Sequence, residues 1–201
     1  MRITTIEQLR ELYDFPSGRA KDKVLGKLEK HSINFIEHAP FLVLSSSNAQ
    51  GKLDASPRGG QPGFVKVLNE NQIVIPDAKG NNRLDSLTNI IETGDIGLLF
   101  FIPGVDETLR INGKAYISTD ADRLELFASE NNPPKSCIVV TIEAIFLHCA
   151  KAFMRSKLWD LDSQLDRNSF PTMGQMLKDQ LQSEGTLETR TEMVKRYMKD
   201  L

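Results

Sequence analysis

The 201-residue sequence is short of the side chains that most often build metal or thiol chemistry: two cysteines, Cys137 and Cys149, and three scattered histidines, His31, His38 and His148. Two cysteines cannot make the disulfide framework of a small secreted domain. Both lie in apolar stretches and read as buried free thiols. No HxxxH or CxxC spacing occurs, so a zinc site built on these residues has no support, while carboxylate-bound magnesium stays open. An excess of one charge is also missing: 25 basic residues against 27 acidic ones give a formal net charge of −2. That removes the global electrostatic argument for nucleic acid or an anionic membrane. The longest apolar run, Ile96–Ile102, is too short to cross a bilayer. The first residues show no apolar signal core, so no secretory signal is expected and the cytoplasm is the default compartment. The phosphate-loop pattern GxxxxGKS/T, a GxGxxG after a strand and the GxSxG elbow are all absent, which argues against ATP, GTP, a Rossmann dinucleotide and a serine hydrolase. The 27 carboxylates form no pairing that singles out an acid and a base.

What is present is an ordinary globular composition, 40% hydrophobic and 26% charged, with enough length for one domain or one domain plus a helical appendage. Thr4 and Glu7 read as a capping box ahead of Ile6, Leu9 and Leu12. A second helix is expected over Arg19–His31, and a short turn over Asn34–His38 ends before Pro40. Strand signals follow: Phe41–Asn48, a hairpin turn at Ala49–Lys52, a strand over Leu53–Leu68 broken by a Gly/Pro loop, Gln72–Pro76 and Asp95–Ile102. Glu107–Ser118 alternates apolar and polar side chains throughout, with Gly113 in its middle suggesting a bend or a close backbone approach. Asp120 is expected to cap a helix over Ala121–Ser129. Cys137–Ala152 reads as one long strand or two joined by a bend. Beyond Trp159 the pattern is helical, with one stripe at Met173, Met176, Leu177 and Leu181. A second, at Leu187, Val194, Tyr197, Met198 and Leu201, opens with Gly185-Thr186 as break and cap. The order of helices, about six strands and more helices predicts an antiparallel sheet or barrel with helices at its ends.

Three segments hold residues suited to binding. In "PDAKGNNRLDSLTNII" (Pro76–Ile91) a helix is expected to start near Asn82 or Arg83. Arg83 then sits where the helix dipole is already positive, at a cost of about 0.3–1 kcal/mol when exposed. Either this is a solvated turn with Asn82 as cap, or the free amides, Asn82 and the guanidinium together bind a phosphate or carboxylate. In "SPRGG" (Ser56–Gly60) Arg58 lies in a Gly/Pro loop, where the glycines would let the backbone approach a ligand; a ligand-free corner or bulge fits as well. In "HCAKAFMRSKLW" (His148–Trp159) Lys151, Arg155, Lys157 and the sole tryptophan could line a pocket for a ring or an anion, or form a solvated edge over a core tryptophan.

Taken together, "SPRGGQPGFVKVL", "IPDAKGNNRLDSLTNI", "GLLFFIPGVDETLRINGKAYIS" and "CAKAFMRSKLW" resemble the pyridoxamine 5′-phosphate oxidase-like, FMN-binding split-barrel proteins. The nearest likeness is to a subgroup expected to depend on FMN. The resemblance implies a mainly β fold, a six-stranded antiparallel split β-barrel with flanking helices. It divides the chain into an N-terminal helical segment (1–34), the barrel domain (35–159) and a C-terminal helical extension (160–201). It implies a homodimer with FMN at the subunit interface, and an FMN-dependent oxidoreductase acting on a small molecule or reduced nicotinamide, with no nucleic-acid or membrane partner. On the same likeness, Asn82 and Arg83 would hold the FMN phosphate, with Arg58, beside Ser56 and Gly59, as a second phosphate or ribityl partner. Phe64 and Val65 would pack by the flavin, Thr108 would reach it from the neighbouring strand, and Lys151, Arg155 and Trp159 would approach from the partner subunit. The chain departs from the true oxidases in having one basic residue in the phosphate run where they have two. It also has no recognisable Arg-x-His element near the C-terminus, and its helices from Pro171 on have no counterpart there. These departures weigh against vitamin B6 oxidation and leave FMN binding, with turnover or as a non-catalytic module.

Overall fold

In a computed structural model, which describes residues 2–184 and 188–200, seven strands form one antiparallel sheet. They are β1 (Phe41–Ser47), β2 (Leu53–Gly59), β3 (Lys66–Asn69), β4 (Gln72–Pro76), β5 (Asp95–Ile102), β6 (Val105–Ser118) and β7 (Cys137–His148). Their spatial order is β2-β1-β5-β6-β7-β4-β3. The seventh strand arises because the expected Leu53–Leu68 strand breaks into β2 and β3 across the Gly/Pro loop. The main core takes Leu42 and Leu44 from β1, Leu98 and Phe100 from β5, Ile111 from β6, Ile142 and Ile145 from β7 and Ile73 and Ile75 from β4. Both halves of the sheet therefore wrap one interior, yet its edges β2 and β3 do not pair, which leaves an open seam: a split barrel.

The bend suggested at Gly113 is there. Asn112 pairs with Ala144 and Gly113 with Ile142, so β7 carries one extra residue, Glu143, as a bulge. A Cβ on Gly113 would lie 2.0 Å from the Thr141 carbonyl oxygen, so only glycine fits this close approach.

The helices correct several expectations. In α1 (Ile6–Leu12) the cap is Thr5, whose side chain accepts from the Gln8 amide, while the Gln8 side chain accepts from the Thr4 amide; the expected Thr4–Glu7 box is replaced by a cap one residue further on. The helix expected over Arg19–His31 is only one turn, α2 (Arg19–Asp22). Leu25 instead exchanges both backbone hydrogen bonds with Ile145 of β7, at 2.9 and 2.8 Å, and a sheet bridge replaces helix there. A new helix, α3 (Lys30–His38), starts on a capping box of Glu29 and Ser32 and buries Phe35 and Ile36. α4 (Asp85–Thr93) follows β4 and packs on β1, where the buried Asn89 amide donates to Ser46 Oγ at 3.1 Å. α5 (Ala121–Leu124) runs into a 3-10 turn over Glu125–Phe127, shorter than expected, and Asp120 makes no side-chain cap bond. Phe127 is fully buried in a second small cluster with Val74, Cys137 and Val139. β7 ends at His148 and the residues expected to continue it form α6 (Lys151–Ser156), so Cys149 is exposed and only Cys137 is a buried thiol. α7 (Met173–Leu181) and α8 (Arg190–Tyr197) bury no residue; Thr189 and Glu192 box the start of α8. The expected Gly185-Thr186 break and the stripe ends Leu187 and Leu201 lie outside the described residues.

Candidate binding site at the open seam

A cavity of about 990 Å³ opens at the seam. Its walls are β2, the loop from Asp77 to Leu84, the first turn of α4 and the Asn132–Lys135 loop before β7. On β2 the half-buried Asp54, Ser56 and Arg58 recur every second residue, which puts them on one face of the strand. Arg58, Lys79, Arg83 and Lys135 line it with three carboxylates, Asp54, Asp77 and Asp85, and a fourth, Asp200, pairs with Lys79, so the charges balance.

Each charge has a distinct setting. Arg58 Nη1 donates to Asp77 Oδ1 at 3.0 Å, and both side chains are largely buried. Arg58 Nε is buried with no hydrogen-bond partner. An orphaned buried donor costs about 1–3 kcal/mol, so this one needs an acceptor. Arg83 is exposed and its Nε donates to Asp85, which holds its pKa above the ordinary guanidinium value. Lys79 pairs with Asp200 from the C-terminal segment. Asp54 accepts from the Ser86 hydroxyl and so ties the start of α4 to β2.

The expected helix start is corrected by the loop geometry. α4 begins at Asp85, and its N-cap is Leu84, which makes no side-chain cap bond. Asn82 and Leu84 both have φ of 59°. Asparagine tolerates this left-handed region, but leucine rarely adopts it. Asn82 is therefore a loop residue and not the cap, and Arg83 precedes the helix, so the dipole argument against it does not apply. The start of α4 has no side-chain cap, and its first residues, Asp85, Ser86 and Leu87, border the cavity, a favourable setting for an anion.

The cavity thus brings together Ser56, Arg58, Gly59, Asn82 and Arg83. The other expected residues stand elsewhere in the chain. Phe64 and Val65 are buried in the main core. A Cβ on Gly60 would come within 2.7 Å of Phe64 Cβ, so this glycine makes room for Phe64. Thr108 is buried on β6 opposite His148. Lys151 and Arg155 are exposed on α6, and Trp159 stacks on Phe153 and donates from Nε1 to the Val105 carbonyl at 3.0 Å. Asp77 and Lys135 line the cavity without having been singled out in the sequence; Asp77 follows β4, which lies near the far end of the strand order from β2, so no local signal tied it to Arg58. Among the described residues no group of three or more His, Cys, Asp or Glu side chains could hold a metal, and no helix is long and apolar enough to cross a membrane.

A family model described as pyridoxamine 5′-phosphate oxidase matches residues 28–149, more than half of the chain. No curated protein matches the sequence. Among solved structures, HupZ from Group A Streptococcus superposes with a TM-score of 0.50 at 15% identity, covering 60% of this chain and 93% of that one. A candidate pyridoxamine 5′-phosphate oxidase from Lactobacillus delbrueckii gives 0.47 at 18% identity, covering 61% and 95%. At such identity the HupZ likeness is one of fold.

Proposed function

Because the chain belongs to the pyridoxamine 5′-phosphate oxidase family, we propose that it is an FMN-binding flavoprotein, an oxidoreductase that works as a homodimer with the flavin at the subunit interface. The observation that carries this is the buried, unpartnered Nε of Arg58 in the wall of a cavity beside the start of α4. A phosphate monoester supplies the acceptor this donor lacks and suits the uncapped amides beside it. The cavity also falls within the size range of small-ligand and cofactor sites.

In this reading Arg58 is the fixed phosphate ligand. Arg83 is the second, and it must share or release Asp85 to serve. Asn82 and the amides of Ser86 and Leu87 complete the cradle, with Ser56 and Gly59 along the same wall. Lys151, Arg155 and Trp159, which line no part of this cavity, would meet the flavin from the partner subunit. When bound, the flavin supplies hydride and single-electron chemistry that no side chain here provides; the protein's share is to bind it, orient it and limit water around it.

The test is direct. The purified protein should be yellow or take up added FMN, and reduced nicotinamide followed by air should bleach and restore the colour. Arg58→Ala should weaken FMN binding more than Arg83→Ala, because Arg58 is the buried ligand. A colourless protein that takes up no FMN as a dimer refutes the proposal. Flavin uptake without bleaching by any donor reduces it to a flavin-binding module.

A further inference from the structure

The Arg58 guanidinium is held on one side only. Asp77 takes Nη1, while Nε is closed off from solvent without an acceptor. The ion pair spans the seam: Arg58 is on the edge strand β2, and Asp77 follows β4, which pairs with β3 and β7 at the other side of the opening. Asp77 is itself fixed by backbone. Its amide donates to the Ser136 carbonyl at 3.0 Å, one step beyond the Pro76–Cys137 pair that ends the β4–β7 ladder. The carboxylate is thus anchored to a rigid strand end, and the arginine is anchored to the carboxylate.

A guanidinium has fixed, planar donor edges. With Nη1 engaged by Asp77, the Nε–Nη2 edge is left as the fork, and such a fork matches two oxygens of a phosphate or carboxylate. Two roles for Asp77 oppose each other. As a neutraliser, it reduces the charge that Arg58 offers an anion. As a clamp, it fixes the fork so that little side-chain freedom is lost on binding. The burial of the pair favours the clamp: Asp77 is the one hydrogen-bond partner the Arg58 side chain has among the described residues, so it alone fixes the guanidinium.

We infer that Asp77 is a positioning residue: by holding Nη1 across the seam it presents the Nε–Nη2 edge of Arg58 to the phosphate monoester of the bound ligand. This rests on the flavin-phosphate reading above and adds the group that orients its principal ligand.

The experiment titrates FMN, riboflavin and inorganic phosphate against the intact protein, Asp77→Asn, Arg58→Lys and the double variant. Riboflavin has the same ring without the phosphate, so it separates an effect on the phosphate from general damage. Asp77→Asn should weaken FMN about tenfold, the scale of one charge-assisted hydrogen bond, and leave riboflavin unchanged. Arg58→Lys keeps the charge but loses the fork, and should weaken FMN similarly. The double variant should bind no worse than Arg58→Lys, because Asp77 acts through Arg58. Asp77→Asn that binds FMN as tightly as the parent, or more tightly, overturns the inference in favour of a neutraliser; so does an equal loss of riboflavin. If Asp77→Asn does not fold, Asp77→Glu decides: a shifted carboxylate should weaken FMN alone, and unchanged affinity overturns the clamp. A parent protein that binds phosphate but not FMN refutes the flavin reading, and the variants' phosphate affinities then decide Asp77 by the same criteria. One that binds neither overturns both.

Discussion

Gly113→Ala should be among the most damaging single-methyl additions in the chain. The added Cβ would lie 2.0 Å from the Thr141 carbonyl oxygen, 3.0 Å from its carbonyl carbon and 3.3 Å from the Glu143 amide nitrogen. Since contacts under 3.0 Å are essentially never seen for real Cβ atoms, β6 and β7 must separate by about 1 Å at this point. The contacted atoms are backbone, in the pair of strands that share the longest ladder in the sheet, so no side chain can swing aside. Overpacking in a fixed core costs about 1–3 kcal/mol, and the forced opening of the ladder puts this site near the top of that range, about 3 kcal/mol. For a chain of this size that corresponds to a fall in Tm of roughly 6–12 °C. Gly104→Ala is the matched control. Its φ of +84° makes alanine unfavourable, but nothing lies within 4 Å of the new methyl, so the cost is only the left-handed backbone term of about 1–2 kcal/mol. Urea or thermal unfolding of the two variants reads the difference. A Gly113→Ala loss no larger than that of Gly104→Ala refutes the steric account of the bulge.

Phe127→Ala should cost about 3–5 kcal/mol, because this ring is fully buried in the small cluster with Val74, Cys137 and Val139; a denaturant midpoint shifted by less than 1 kcal/mol equivalent would contradict that packing. Burial first, then the charges of Lys23 and Arg110, hold the His148 pKa below its ordinary 6.5. The unfolded chain therefore takes up this proton first on acidification. The contribution of His148 is fully present above pH 6.5 and declines as pH falls toward the folded-state value, so His148→Asn should flatten that arm of the stability curve, and an unchanged slope rules this out. Under native conditions a thiol reagent should modify Cys149 quickly and Cys137 only on unfolding, since the first is exposed and the second buried with its thiol pKa raised by burial; two fast thiols would contradict the burial of Cys137 at the start of β7.

The sheet was legible because strand signals are local. The Gln72–Pro76 and Asp95–Ile102 strands match their expected bounds, and the alternation over Glu107–Ser118 needed only a period of two. Gly113 was legible for the same reason: a glycine inside a strong strand has few explanations. The helices went astray where a distant partner decided. Nothing near Leu25 announces that Ile145, far along the chain, will take both of its backbone bonds and end the helix there. The capping of α1 shifted by one residue because Thr4 and Thr5 are adjacent and either hydroxyl satisfies the local pattern. Cys149 looked buried from its neighbours in sequence, but the strand ends one residue before it.

The candidate site divides along the same line. Charge and glycine content marked out Arg58 and Arg83, and the cavity does bring both together. Their order of importance was not legible, because it depends on partners from other elements. Arg83 drew attention for a supposed conflict with the helix dipole, but the helix starts after it and its Nε is satisfied by Asp85, two residues away. In the sequence Arg58 reads as a second ligand in a Gly/Pro loop, and the structure puts it on the edge strand β2. It gains its weight from Asp77 across the seam, a pairing that exists only because the sheet curls and fails to close. An open edge is a liability, since it presents unpaired backbone groups. Here β2 carries Pro57 beside Arg58, so one edge position has no amide to offer and the next side chain is turned to the seam. The same incomplete closure that leaves two strand edges unpaired therefore creates the cavity, supplies its ion pair and leaves one guanidinium donor in need of an acceptor.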